Sequence, residues 1–84
     1  MQTLTDIERS VKSYILTEFL PGEDPEQLTR DTPLISIGIL DSLATLKLVA
    51  FLEQEFAVEI APHEADAENL DSIERIGRLI ESKR

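Results

Sequence analysis

The sequence predicts an all-α fold: a small four-helix bundle of three long helices and one short one, with a long loop after the first helix. Three observations carry this. Apolar residues recur at helical spacing in three separate stretches. Each stretch opens on a residue suited to cap a helix, Thr5, Asp41 or Asp71. The two short runs with β-branched character, residues 34–40 and 57–60, have only each other to pair with, and an isolated two-stranded pair is marginal in water.

The first helix is expected over residues 5–20. Thr5 and Glu8 fit the S/T-x-x-E capping box, and Ile7, Val11, Tyr14, Ile15 and Phe19 repeat along one face. Pro21-Gly22 stops it. Residues 21–33 hold three of the four prolines and several acids, the composition of a surface loop. A loop this long in a compact domain has a job or hides a short helical turn. Residues 34–40 read as a buried irregular loop, with Gly38 at a backbone position that a side chain would not suit.

The second helix opens at Asp41, as N-cap or just before it, and runs to about Phe56. Leu48, Val49, Leu52 and Phe56 share one arc and should face the core. Leu43, Leu46 and Ala50 form a second arc, separated from the first by Glu53. Either a neighbouring element covers that strip, or it is an exposed apolar patch for a partner. Residues 62–70 are expected to hold a short helix or one turn. Asp71 then caps the last helix, with Glu74 at its third position and Ile73, Ile76, Leu79 and Ile80 on its apolar face, ending near Ser82.

Composition sets further bounds. The 84 residues allow one domain. Seventeen acids against eight bases give a formal net charge of −9, which argues against nucleic acid and against anionic membrane surfaces. No apolar run approaches the roughly 18 residues of a membrane span. The first residues lack the basic and apolar regions of a signal peptide, and there is no Cys, so a cytoplasmic protein is expected. The charge is uneven: no Lys or Arg lies between Lys47 and Arg75, a stretch with Glu53, Glu55, Glu59, Glu64, Asp66, Glu68, Asp71 and Glu74. Such a run is either a solvated surface or a face that steers electropositive partners.

Catalytic chemistry has little to work with. His63, the one histidine, sits in a polar acidic segment and reads as a surface residue. A triad of Ser42, His63 and an Asp can be assembled on paper in any small protein with those residues. No EF-hand pattern or glycine-rich phosphate loop is present. One local feature stands apart, Gly38-Ile39-Leu40-Asp41-Ser42-Leu43. It puts a serine in the first turn of a helix, where free N–H groups and the positive end of the macrodipole favour a phosphate ester on the hydroxyl. The same residues also suit a simple cap in which Ser42 assists Asp41.

The chain resembles the acyl carrier protein family. The resemblance rests on that motif and on the rhythm of Leu46, Leu48, Val49, Leu52, Glu53, Glu55 and Phe56 behind it. It extends to Phe56-Ala57-Val58-Glu59-Ile60 and to Glu68-Asn69-Leu70-Asp71-Ser72-Ile73, and so covers essentially the whole chain. The resemblance implies a four-helix carrier, not an enzyme. Ser42 would receive 4'-phosphopantetheine from coenzyme A through a phosphopantetheinyl transferase, and Asp41 would help that transferase and its metal recognise the site. The arm's thiol would hold an acyl or aminoacyl group as a thioester, and Leu43, Leu46, Lys47, Ala50 and Glu53 would be candidate contacts for loading and transferring enzymes. Carriers of fatty acid synthesis are typically acidic where Ala44 and Lys47 stand here. The Gly-Ile-Leu-Asp-Ser form looks more like freestanding carriers of polyketide or nonribosomal peptide pathways, or D-alanyl carriers. A monomer is the expectation for such a shuttle. A lipid-like cargo should open a cavity between helices, whereas a small polar one stays at the surface.

Overall fold

A computed structural model describes residues 4–83. Helix α1 spans Leu4–Glu18, α2 Ser42–Phe56, α3 Ala67–Leu70 and α4 Ile73–Ser82. Two 3-10 turns, Pro25–Gln27 and Pro62–Glu64, sit in the connections. No strand occurs among the described residues, so both β-prone runs are irregular. The expected all-α bundle of three longer helices and one short helix is what the chain forms.

The core is drawn from all four α-helices and from the connections. Ile7, Val11 and Ile15 of α1 meet Ile73, Ile76, Leu79 and Ile80 of α4, and α1 packs closely along α4. Helix α2 contributes Ala44, Leu48, Leu52 and Phe56, spaced one turn apart. Val49, expected with them, is only half-buried. Tyr14 ties α1 to α2: its ring stacks on Phe51 with centroids 4.0 Å apart, and its hydroxyl donates to the Lys47 carbonyl at 3.2 Å.

Three local expectations are corrected. Thr5 lies inside α1, one residue past its start, and Glu8 is turned to the long connection, where Arg30 grips it through Nε at 3.0 Å and Nη2 at 2.8 Å. The position before Leu4, where a cap would lie, is outside the described residues. At its other end α1 stops at Glu18 rather than Leu20, because the Phe19 and Leu20 amides both bond the Ile15 carbonyl. Finally, the cap of α4 is Ser72, not Asp71: Ser72 Oγ accepts from Arg75 N–H at 3.2 Å, which moves Glu74 to the second helical position.

The long connection is an anchored structure. A turn through Pro21-Gly22, closed by Glu23 N–H to the Leu20 carbonyl, uses Gly22 at φ +88°. Leu28, Leu34 and Leu40 are buried in the core, but Ser36, Ile37 and Gly38 are exposed, so the 34–40 loop is buried at its ends and not throughout as expected; Gly38 has φ +87°, as expected of a position unsuited to a side chain. The Pro25–Gln27 turn is the short helical piece expected in a loop of this length. Among the described residues no helix is long and apolar enough to cross a membrane.

Candidate functional site

Asp41 is the N-cap of α2. Its backbone is extended, its Oδ1 accepts from Ala44 N–H at 2.8 Å, and its carbonyl accepts from Thr45 N–H at 2.8 Å. Those two bonds satisfy the third and fourth donors of the helix start. The amides of Ser42 and Leu43 remain as its open donors. Ser42 is therefore the first helical residue, and it is exposed. Among the described residues no hydrogen bond holds its hydroxyl. The hydroxyl thus sits at the positive end of a 15-residue helix, where an attached phosphate diester gains from the dipole.

Beside Ser42 lies an open groove of about 650 Å³. Ile35 and Leu40 of the preceding loop form one part of its wall, Thr45 and Leu46 of α2 another, and Pro62, Ala65 and Ala67 the far side. The lining is mainly apolar, and Asp41 and Asp66 stand among it. An extended, partly apolar arm tethered at Ser42 fits such a surface. Apart from Leu40, Asp41, Ser42 and Leu46, the groove residues carry no local sequence signal; sequence reasoning missed them because the walls come from the 34–40 loop, from α2 and from residues 62–67, which are far apart in the chain.

The expected partner contacts separate into two sets. Leu43 and Leu46 are 62% and 67% exposed, and Lys47 and Ala50 are exposed with them. At about 100° per residue these four fall within one arc of roughly 100°. The chain therefore leaves this strip uncovered. Glu53 differs: it is half-buried, and its Oε2 accepts from Ile60 N–H at 2.9 Å, fastening the segment after α2 back onto the helix.

Other acids of the base-free stretch also work inside the chain. Glu64 accepts from Ala61 N–H and pairs with Lys83 at 2.7 Å, and these bonds hold its carboxyl below the usual range. Asp66 caps α3 through Asn69 N–H. Glu74 contacts Arg30 and Arg78. Asp71 accepts from the Ile35 and Ser36 amides, and these bonds, that of Ser36 foremost, hold its carboxyl below the usual range. Glu55, Glu59 and Glu68 are exposed. His63 is exposed as expected, on the turn before α3.

Comparison with known proteins agrees with this geometry. The family model described as phosphopantetheine attachment site matches residues 16–80. The chain is 35% identical over 75 residues to a probable acyl carrier protein, PigG, of Serratia sp., a match covering 89% of this chain and 85% of that protein. It is 29% identical over 70 residues to the D-alanyl carrier protein of Lactococcus lactis subsp. cremoris, covering 83% and 89%. It is 33% identical over 69 residues to the chloroplastic acyl carrier protein of Brassica napus, covering 82% of this chain and 49% of that one. Among solved structures, a chain from one described as the crystal structure of FAD-dependent dehydrogenase aligns with a TM-score of 0.76 at 33% identity, over 83% of this chain and 97% of that one.

Proposed function

This chain belongs to the phosphopantetheine-attachment family of acyl and aminoacyl carriers, with covalent 4'-phosphopantetheine as cofactor, and on that premise we propose that Ser42 is the attachment point. The observation that carries the proposal is an exposed hydroxyl on the first residue of α2, beside a groove and at a helix start where the Ser42 and Leu43 amides remain open. In the attachment step Ser42 Oγ bonds to the phosphorus of phosphopantetheine in coenzyme A. The bond from that phosphorus to the bridging oxygen of the nucleotide breaks, and the hydroxyl proton passes to a base on the transferase. Asp41 holds α2 in register and offers its second carboxylate oxygen to the transferase. When attached, the arm supplies a thiol that carries cargo as a thioester. The protein transports a group and does not itself catalyse.

Intact-mass measurement tests this. Incubation with coenzyme A and a promiscuous phosphopantetheinyl transferase should add one arm to the wild type and none to Ser42→Ala. An unmodified wild type would instead leave an acidic helical interaction module without an arm.

The finer reading is a freestanding, monomeric, cytoplasmic carrier of polyketide or nonribosomal peptide biosynthesis. Support for a freestanding carrier comes from the similarity to PigG, 85% of which the match covers, and support for the pathway from Ala44 and Lys47, which stand where the resemblance implies acids in carriers of fatty acid synthesis. A D-alanyl carrier is the neighbouring alternative. The open groove and the filled core beneath α2, where Leu48 and Leu52 are fully buried, favour a small cargo lying at the surface. Leu43, Leu46, Lys47 and Ala50 form the strip on which loading and transferring enzymes would dock. The similarity to a chain from a dehydrogenase structure supports a flavoprotein among those that act on the carried group.

A further inference from the structure

Asp71 lies 29 positions beyond Ser42 in the sequence, yet it holds the loop that leads into the serine motif. Its Oδ1 accepts from Ile35 N–H at 2.8 Å and from Ser36 N–H at 3.1 Å. Its Oδ2 accepts from the Ser36 hydroxyl at 3.0 Å, and its carbonyl accepts from Leu34 N–H at 2.6 Å. Four bonds from one residue thus fix three consecutive residues. The Leu34 carbonyl in turn accepts from Leu40 N–H at 3.0 Å, closing the loop immediately before the Asp41 cap. Ile35 and Leu40, at the two ends of this closed loop, are also walls of the groove beside Ser42.

We propose that Asp71 is a positioning residue for attachment at Ser42: it locks the 34–40 loop to the start of α4 and so fixes the groove wall that the transferase meets. The proposal rests on Ser42 being the attachment point. A carboxylate suits the task because two acceptor oxygens serve three donors at once, two of them backbone amides that nothing else nearby serves. Removing it leaves those amides to water and frees the loop to sample other shapes. The Ser42 hydroxyl and the Asp41 cap are untouched, so the chemical step should survive once the partners are docked. The loss belongs in KM rather than in kcat.

The test is steady-state transfer from coenzyme A to the apo-protein, with the wild type, Asp71→Ala, Asp71→Asn and Ser36→Ala compared at one pH. Asp71→Ala should raise KM for the carrier about fivefold with kcat nearly unchanged. Asn keeps an amide oxygen for the two N–H groups and can donate to the Ser36 hydroxyl, so Asp71→Asn should restore KM to within about twofold of wild type. Amide hydrogen exchange at Ile35 and Ser36 should quicken in Asp71→Ala and stay slow in Asp71→Asn. If Asp71→Ala does not fold, Ser36→Ala carries the test, with a rise in KM of about twofold expected from the lost hydroxyl bond. Wild-type KM in a folded Asp71→Ala protein, or in Ser36→Ala where that stands in, overturns the proposal. So does an Asn variant as impaired as the Ala variant, since charge rather than anchoring would then matter. A wild type that takes up no arm removes the Ser42 reading itself, which separates the two failures.

Discussion

Asp41 serves two ends in this structure, and two substitutions separate them. As N-cap, its Oδ1 accepts from Ala44 N–H at 2.8 Å. Replacing an N-cap Asp by Ala costs about 1 kcal/mol, whereas Asn caps about as well as Asp. A domain of this size has a total stability of roughly 4–13 kcal/mol, so the cap is a visible fraction of it. Asp41→Ala should lower Tm by about 4–8 °C, and Asp41→Asn should leave it within about 2 °C. Transfer of the arm should respond differently. With Oδ1 committed to the cap, Oδ2 is the atom left for the transferase, and its value there lies in its charge. Both variants should therefore lose about tenfold in kcat/KM for transfer, the size of one lost charge-assisted contact.

The assay pairs thermal unfolding by circular dichroism with initial rates of arm transfer read by intact mass. Asp41→Asn is the deciding variant, because it keeps the cap and discards the charge. If it is modified at the wild-type rate, Asp41 acts only by shaping the start of α2, and its assigned role in recognition is refuted. If Asp41→Ala melts with the wild type, the capping argument fails instead.

Two other predictions concern stability. Ala57 ends α2 in the left-handed region at φ 53°, where a side chain is strained, so Ala57→Gly should stabilise the fold by about 0.5–1 kcal/mol, seen as a higher urea midpoint; a lower midpoint would contradict the strain. Acid should weaken the fold through Asp71, Glu64 and Asp31, whose carboxyls hydrogen bonds hold below their ordinary values. A depressed folded-state value means stabilisation that is present above the unfolded-state value and lost as pH falls through the folded one. The urea midpoint should therefore drop from about pH 5 downward, and drop less in Asp71→Asn; a midpoint flat to about pH 3 would refute this.

What the sequence revealed follows the range of the interactions involved. The faces of α1, α2 and α4 were legible because burial repeats every turn, and Ile7, Val11 and Ile15 are buried on that spacing. Gly38 was legible because few residues suit its backbone. Asp71 and Ser72 exchanged roles because both are good caps locally; the choice is made by the 34–36 loop, which claims the Asp71 carboxylate from 35 residues away. Thr5 and Glu8 failed as a capping box for a similar reason, since Arg30, 22 residues on, binds Glu8. The serine motif was readable because its parts are contiguous, and the groove beside it was not, because its walls come from stretches far apart in the chain.

The acidic composition suggests a carrier drawn to basic partners, but the strip beside Ser42 is apolar and bears a cation, Lys47. These two features act at different stages of association. The net charge of −9 sets the long-range field and hence the on-rate, while Lys47 acts only within a complex. Lys47→Glu adds two negative charges, taking the net charge to −11. With a loading enzyme whose docking face is basic at long range and bears an acid opposite Lys47, the variant should associate at least as fast as wild type and dissociate several-fold faster. Salt should slow association of both proteins. Surface plasmon resonance at two ionic strengths separates these effects. A slower on-rate with an unchanged off-rate would mean that Lys47 itself steers the encounter, and that the acids of the base-free stretch, with Glu53, Glu64, Asp66, Asp71 and Glu74 all bonded within the chain, serve the fold more than the approach of a partner.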